Sequence, residues 1–140
     1  MTMNQAEKAS QFQALHRRAG AFLIPNPWDA GSARVLAGLG FEALATSSSA
    51  AAAKSGRRDG KLTRDEALAS ARAIVDATDL PVAGDLESGF GQSPDAAAET
   101  VRLAAQTGLV AATSEAKQSG TFGFLDKTLT SAELNNFLPE

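Results

Sequence analysis

Apolar positions along the chain fall into short runs that alternate with longer stretches of helical spacing. Phe12 and Leu15 share one face of a helix predicted within residues 1–20, with Gly20 as its stop. Residues 21–25 (AFLIP) form an apolar run that reads as a buried strand. Asn26-Pro27-Trp28-Asp29 turns the chain, and Asp29 caps a helix predicted to about Leu39, with Gly40 past its end. Residues 41–46 (FEALAT) give a second strand, and residues 47–62, rich in serine, alanine and glycine, are expected as a loop. Thr63 and Glu66 are spaced as a capping box for a helix that carries Leu68, Ala71, Ile74 and Val75 to about Ala77. Residues 80–86 (LPVAGDL) are a third strand. Ser93-Pro94 opens a helix to about Gln106, and residues 109–113 (LVAAT) are a fourth strand.

The predicted order is β-α-β-α-β-α-β. Such alternation calls for a parallel sheet with right-handed crossovers, closed either as an open doubly wound sheet or as part of an eight-stranded barrel. No Gly-x-Gly-x-x-Gly follows the first strand and no Gly-Lys-Ser/Thr phosphate loop occurs, which argues against a dinucleotide fold.

Composition narrows the classes. With 44% hydrophobic and 21% charged residues, the 140-residue chain has the balance of one globular domain. A formal charge of −3 without a basic block argues against nucleic acid as a partner. No apolar run approaches the roughly 20 residues of a membrane span, and no signal-peptide core opens the chain, so a cytoplasmic protein is expected. The chain has no cysteine, which excludes disulfides, thiolate metal sites and a cysteine acid. Alanine is dense as far as Ala116, but from Lys117 to Glu140 only Ala132 occurs. The expected division is therefore a domain over 1–116 and a divergent tail over 117–140. In the tail Thr130-Ser131-Ala132-Glu133 reads as a capping box, and Leu134, Phe137 and Leu138 as an apolar helix face. Phe122, Phe124 and Leu125 read as a short strand or an apolar hook.

Polar residues gather at the predicted C-terminal ends of strands, where either closure places its site. Asp85 and Glu87, two apart on a strand, are expected to point the same way and to converge with Glu115 of the next strand. Three such carboxylates either are solvated loop residues or hold a hard cation such as Mg²⁺. Thr46, Ser47, Ser48 and Ser49 are either a polar turn or a cradle for an anion. Arg57 or Arg58 is a solvated residue or a bidentate carboxylate partner. His16 and Trp28 are read as structural.

These residues carry a resemblance. Residues 24–50 (IPNPWDAGSARVLAGLGFEALATSSSA), with GRRDG at 56–60, TRDEAL at 63–68, LPVAGDLESGFG at 80–91 and TVRLAAQTGLV at 100–110, resemble the isocitrate lyase/phosphoenolpyruvate mutase superfamily. The resemblance implies a (β/α)₈ barrel in homo-oligomers, with Mg²⁺ and an α-keto acid or its enolate at the C-terminal mouth. It implies Asp85, Glu87 and Glu115 around the metal, with Asp85 also touching substrate. It places Thr46, Ser47 and Ser48 at the substrate carboxylate and Asp59 at the reacting group. Carbon–carbon cleavage of a small 2-hydroxy or keto carboxylic acid through a Mg²⁺-stabilised enolate is the implied chemistry.

The chain departs from the pattern in three places. Glutamate stands at 87 where the family has aspartate. The Lys-Lys/Arg-Cys-Gly-His loop of isocitrate and methylisocitrate lyases is absent, and with it the cysteine proton donor. The fourth strand runs Ala111-Ala112-Thr113-Ser114-Glu115-Ala116, without the aspartate that follows the family's glutamate. A full barrel takes about 250 residues, so the expected fold is the N-terminal half of a barrel, truncated after its fourth strand. Such a half would leave one sheet edge and the inner sheet face without partners. Two functions are therefore expected as alternatives: a Mg²⁺-dependent lyase, or an inactive family member with a structural or interaction role.

Overall fold

A computed structural model describes residues 3–114 and 121–124. Five helices and four strands follow in the order α1 (Gln5–Arg17), α2 (Ala30–Gly38), β1 (Leu44–Ala45), α3 (Ser48–Lys54), α4 (Arg64–Val75), β2 (Val82–Asp85), α5 (Pro94–Ala105), β3 (Ala111–Ser114) and β4 (Thr121–Phe124). The sheet runs β1-β2-β3-β4. β1, β2 and β3 pair in parallel, as the alternation of strands and helices requires. β4 pairs antiparallel to β3, so the expected all-parallel sheet is mixed at this edge. The residues expected as a short strand around Phe122 and Phe124 do form one. The capping box and helix expected beyond them lie outside the described residues.

Helix starts follow local chemistry. Asp29 accepts from Ser32 N–H (2.8 Å), and Ser93 accepts from Ala96 N–H (3.2 Å) ahead of Pro94. Thr63 accepts from Glu66 N–H (3.3 Å), while the Glu66 carboxylate accepts from Thr63 N–H (2.8 Å). Two expectations are corrected. Residues 48–54 are a helix rather than loop, because Ser47 caps them through Ala50 N–H (3.2 Å) and the alanines that follow are strong helix formers. Residues 21–25 are not a strand. They run alongside β1 with one ladder bond, Ala45 N–H to Pro25 C=O (3.1 Å), because Pro25 and Pro27 have no N–H to extend it.

Side chains alternate across the strands and build two cores. On one face Leu44, Val82 and Ala112 meet Leu68, Ala71, Ile74 and Val75 of α4 and Ala98, Val101 and Ala104 of α5. On the other, Ala43, Ala83 and Ala111 meet Ala9, Phe12 and Leu15 of α1. The inner face is thus not left bare. Its alanines leave the depth that Phe12, fully buried, occupies. Gln5 secures α1 by donating to Ala105 C=O (2.8 Å) and Leu109 C=O (2.7 Å). The outward side of α2 presents Val35 and Leu39 to solvent. Among the described residues no helix is long and apolar enough to cross a membrane.

Two predictions follow from this packing. Phe12→Ala should cost about 3–5 kcal/mol of stability by urea unfolding, the range for emptying a buried aromatic site. Glu66, bonded first by Thr63 N–H and then by Arg57, has its carboxyl held below the ordinary value of 4.5. A depressed carboxyl stabilises the fold above its unfolded pKa and loses that contribution as pH falls. Wild type should therefore lose stability below pH 4.5, and Glu66→Gln should show a shallower loss in the same urea series.

Candidate active site

β1 ends at Ala45, and the chain turns at once into α3; β2 ends beside it at Asp85. This divergence of neighbouring strands exposes main-chain groups that side chains then take up. Thr46 N–H donates to Ala83 C=O (2.9 Å), the last main-chain rung between the two strands. Asp85 N–H donates to the Thr46 hydroxyl oxygen (2.9 Å). The Asp85 carboxylate accepts from Ser48 N–H through Oδ2 (2.9 Å) and from Glu87 N–H through Oδ1 (3.1 Å). Asn26 closes the other side, its amide donating to Ala45 C=O (3.0 Å).

The structure therefore brings together Thr46, Ser47, Ser48 and Asp85. They line a narrow surface cleft, with Pro27 and Trp28 on its wall. Trp28, expected as a packing residue, is 60% exposed there, while its neighbour Pro27 is fully buried. Ser47 directs its hydroxyl at Ala50 N–H as the α3 cap, so that oxygen serves the fold.

Glu87 departs from the expected geometry. The argument that residues two apart point the same way holds only within a strand, and β2 stops at Asp85. Glu87 lies in the following turn at φ 49°, a left-handed conformation uncommon for glutamate. Its main-chain amide donates to Asp85 Oδ1. The turn is held against α5: a Cβ on Gly89 would sit 2.9 Å from Ala97 Cβ, and the buried Thr100 hydroxyl donates to Gly89 C=O (2.7 Å).

Asp59 lies on the exposed loop between α3 and α4, and its Oδ1 accepts from Gly60 N–H (3.0 Å). The structure does not join it to the Asp85 cluster. Arg57 of the same loop pairs with Glu66 at 2.7 Å. Glu115 lies outside the described residues. Among the described residues no three acidic or histidine side chains gather as a metal-binding group. His16 is structural as expected, packing edge-on to Phe12 and Phe22 with Nδ1 against Phe12 C=O (2.8 Å).

Thr113 was not singled out by the sequence. It is the register partner of Asp85 on β3, and its C=O accepts from Leu86 N–H (3.0 Å). Strand alternation alone puts it on the face that carries Ala111 and Asp85.

Asp85 is suited to a hard cation. A carboxylate offers about four lone-pair directions, and the two amide bonds leave each oxygen able to accept again. Mg²⁺ needs only one or two carboxylates beside water and substrate oxygens.

Comparison with known proteins places the chain in a family and agrees with its fold. The sequence model for phosphoenolpyruvate phosphomutase matches residues 12–137. An uncharacterised protein of Mycobacterium tuberculosis is 31% identical over 88% of this chain and 46% of its own length. The 2-methylisocitrate lyase of Halalkalibacterium halodurans is 38% identical over 63% of this chain and 30% of its own. Among solved structures, a Burkholderia cenocepacia protein provisionally named a lyase/mutase superposes with a TM-score of 0.76 at 54% identity, covering 77% of this chain and 39% of that one. This chain thus spans less than half the length of these relatives. It belongs to the phosphoenolpyruvate mutase/isocitrate lyase superfamily.

Proposed function

We propose that the chain represents the N-terminal half of a (β/α)₈ barrel and carries the cation- and carboxylate-binding part of its site. The reaction it serves is Mg²⁺-dependent carbon–carbon chemistry of a small 2-hydroxy or keto carboxylic acid through an enolate. The observation that carries this reading is the Asp85 carboxylate, fixed by two amides at the C-terminal end of a parallel strand beside Thr46 and Ser48. The names of two relatives, 2-methylisocitrate lyase and 2,3-dimethylmalate lyase, support the substrate class, since both name hydroxylated polycarboxylic acids.

In this reading Asp85 holds the cation, with Glu87 reaching it through water and Glu115 completing the set. When bound, Mg²⁺ supplies Lewis-acid stabilisation to charge developing on the enolate oxygen. The chain's own residues orient the acid. The Thr46 oxygen accepts from Asp85 N–H, which leaves its proton to donate to a substrate oxygen, and the Ser48 hydroxyl donates beside it. Asp59, on the exposed loop between α3 and α4, is assigned to the reacting group.

Titration calorimetry with oxalate, an enolate mimic, tests the reading. Oxalate should bind only with Mg²⁺, and Asp85→Asn, which keeps one acceptor oxygen for the amides, should lose that binding while remaining folded by circular dichroism. Mg²⁺-independent binding, or unchanged binding by Asp85→Asn, would overturn it. Trp28 is the sole tryptophan, so its emission should change as Mg²⁺ and oxalate are added together. That change should vanish in Asp85→Asn.

A further inference from the structure

We infer that Thr46 is a positioning residue for Asp85, latching the strand end that presents the carboxylate; the functional half of this inference rests on Asp85 being the cation ligand proposed above. The family resemblance implies a substrate-binding role for the Thr46 hydroxyl. The structure gives its oxygen a prior task.

The ladder shows why. Residues of β2 alternate the side to which their main-chain groups point. Val82 C=O and Leu86 N–H bond toward β3, through Val110 N–H (3.0 Å) and Thr113 C=O (3.0 Å). Ala83 C=O bonds toward β1, through Thr46 N–H (2.9 Å). Asp85, two residues on, therefore turns its N–H toward β1 as well. At that level β1 has already left the sheet to enter α3, whose cap is Ser47. The Thr46 hydroxyl oxygen meets the Asp85 N–H at 2.9 Å and supplies the rung that a strand carbonyl would otherwise make. This bond is partly buried, where an unmet N–H is costly.

The latch is reciprocal. The Thr46 side chain holds the main chain of Asp85, and the Asp85 side chain holds the main chain of Ser48 at 2.9 Å. This is the logic of a capping box stretched between two strands 39 positions apart in sequence. The two bonds fix the height and rotation of the Asp85 carboxylate from both ends. Support of this kind behind a metal ligand typically changes affinity by about 10–100-fold.

Thr46→Val removes the acceptor and keeps the β-branched shape; Thr46→Ser restores the acceptor. Two readouts on the full chain separate the latch from its consequence. Amide hydrogen exchange at Asp85 should quicken by about tenfold or more in Thr46→Val and return toward wild type in Thr46→Ser. Binding of Mn²⁺ alone, followed by electron paramagnetic resonance, should weaken by about tenfold in Thr46→Val and recover in Thr46→Ser. Asp85 exchange unchanged in a folded Thr46→Val overturns the latch. Mn²⁺ affinity equal in wild type and Thr46→Val overturns its role at the metal. Wild type that binds no Mn²⁺, or an Asp85→Asn variant that binds it fully, overturns instead the assignment of Asp85 as ligand, with the exchange readout still deciding the latch.

Discussion

The constraint on which the site depends is the parting of two paired strands. β1 contributes only Leu44 and Ala45 to the sheet before its chain turns into α3, whereas β2 continues to Asp85. Every polar main-chain group exposed by that parting needs a partner, because an unmet one in a partly buried setting costs about 1–3 kcal/mol. Thr46, Asp85 and Asn26 meet this need with side chains. The same contacts bring a carboxylate and two hydroxyl-bearing residues to one strand end. Placement of the chemistry is thus a consequence of satisfying the backbone.

What the sequence made legible was local. Asp29, Thr63 and Ser93 cap helices where their spacing predicts, because a cap is decided within four residues. The parallel order of β1, β2 and β3 follows from alternation alone. The misreadings arose where a local rule was carried past its element. Residues 47–54 carry a serine cap and an alanine run, both helical signals, yet their serine- and glycine-rich surroundings read as loop. Residues 21–25 have a strand's apolarity, but prolines at 25 and 27 remove the donors that a ladder needs. Asp85 and Glu87 obey period-two alternation only if the strand reaches Glu87, and it ends two residues earlier. The Thr46–Asp85 bond has no local signal, since its partners meet only once the sheet forms.

The packing of the sheet face that carries Asp85 explains how the strands present a defined strand end. Eight-stranded barrels fill their interior with layers of side chains, commonly large and branched. On the sheet face that carries Asp85, Ala43, Ala83 and Ala111 are small, and Phe12 and Leu15 of α1 pack against them. The N-terminal helix is therefore part of the core beneath the site, and Gln5 ties it to the end of α5 and the start of β3. The sheet levels below Asp85 are packed from both sides. The carboxylate stands at the edge of that packed region, half-buried, with its main chain held and the cleft beside it.

The donor inventory also revises what a serine-rich strand end means. Counted from composition, Thr46, Ser47 and Ser48 offer three hydroxyls and three amides to an anion. In the folded chain Thr46 N–H serves Ala83, Ser48 N–H serves Asp85, the Ser47 oxygen caps α3, and the Thr46 oxygen accepts from Asp85. What this leaves for a ligand is the Ser47 N–H, the Thr46 and Ser47 hydroxyl protons and the Ser48 hydroxyl. The segment's first anion is therefore its own Asp85, which already draws on the Ser48 amide. A substrate carboxylate adds to a strand end whose charge is set by Asp85, and two carboxylates at one place repel. A divalent cation between them resolves that repulsion. Under the proposed function this arrangement would call for a divalent cation, because the Ser48 amide is already given to Asp85.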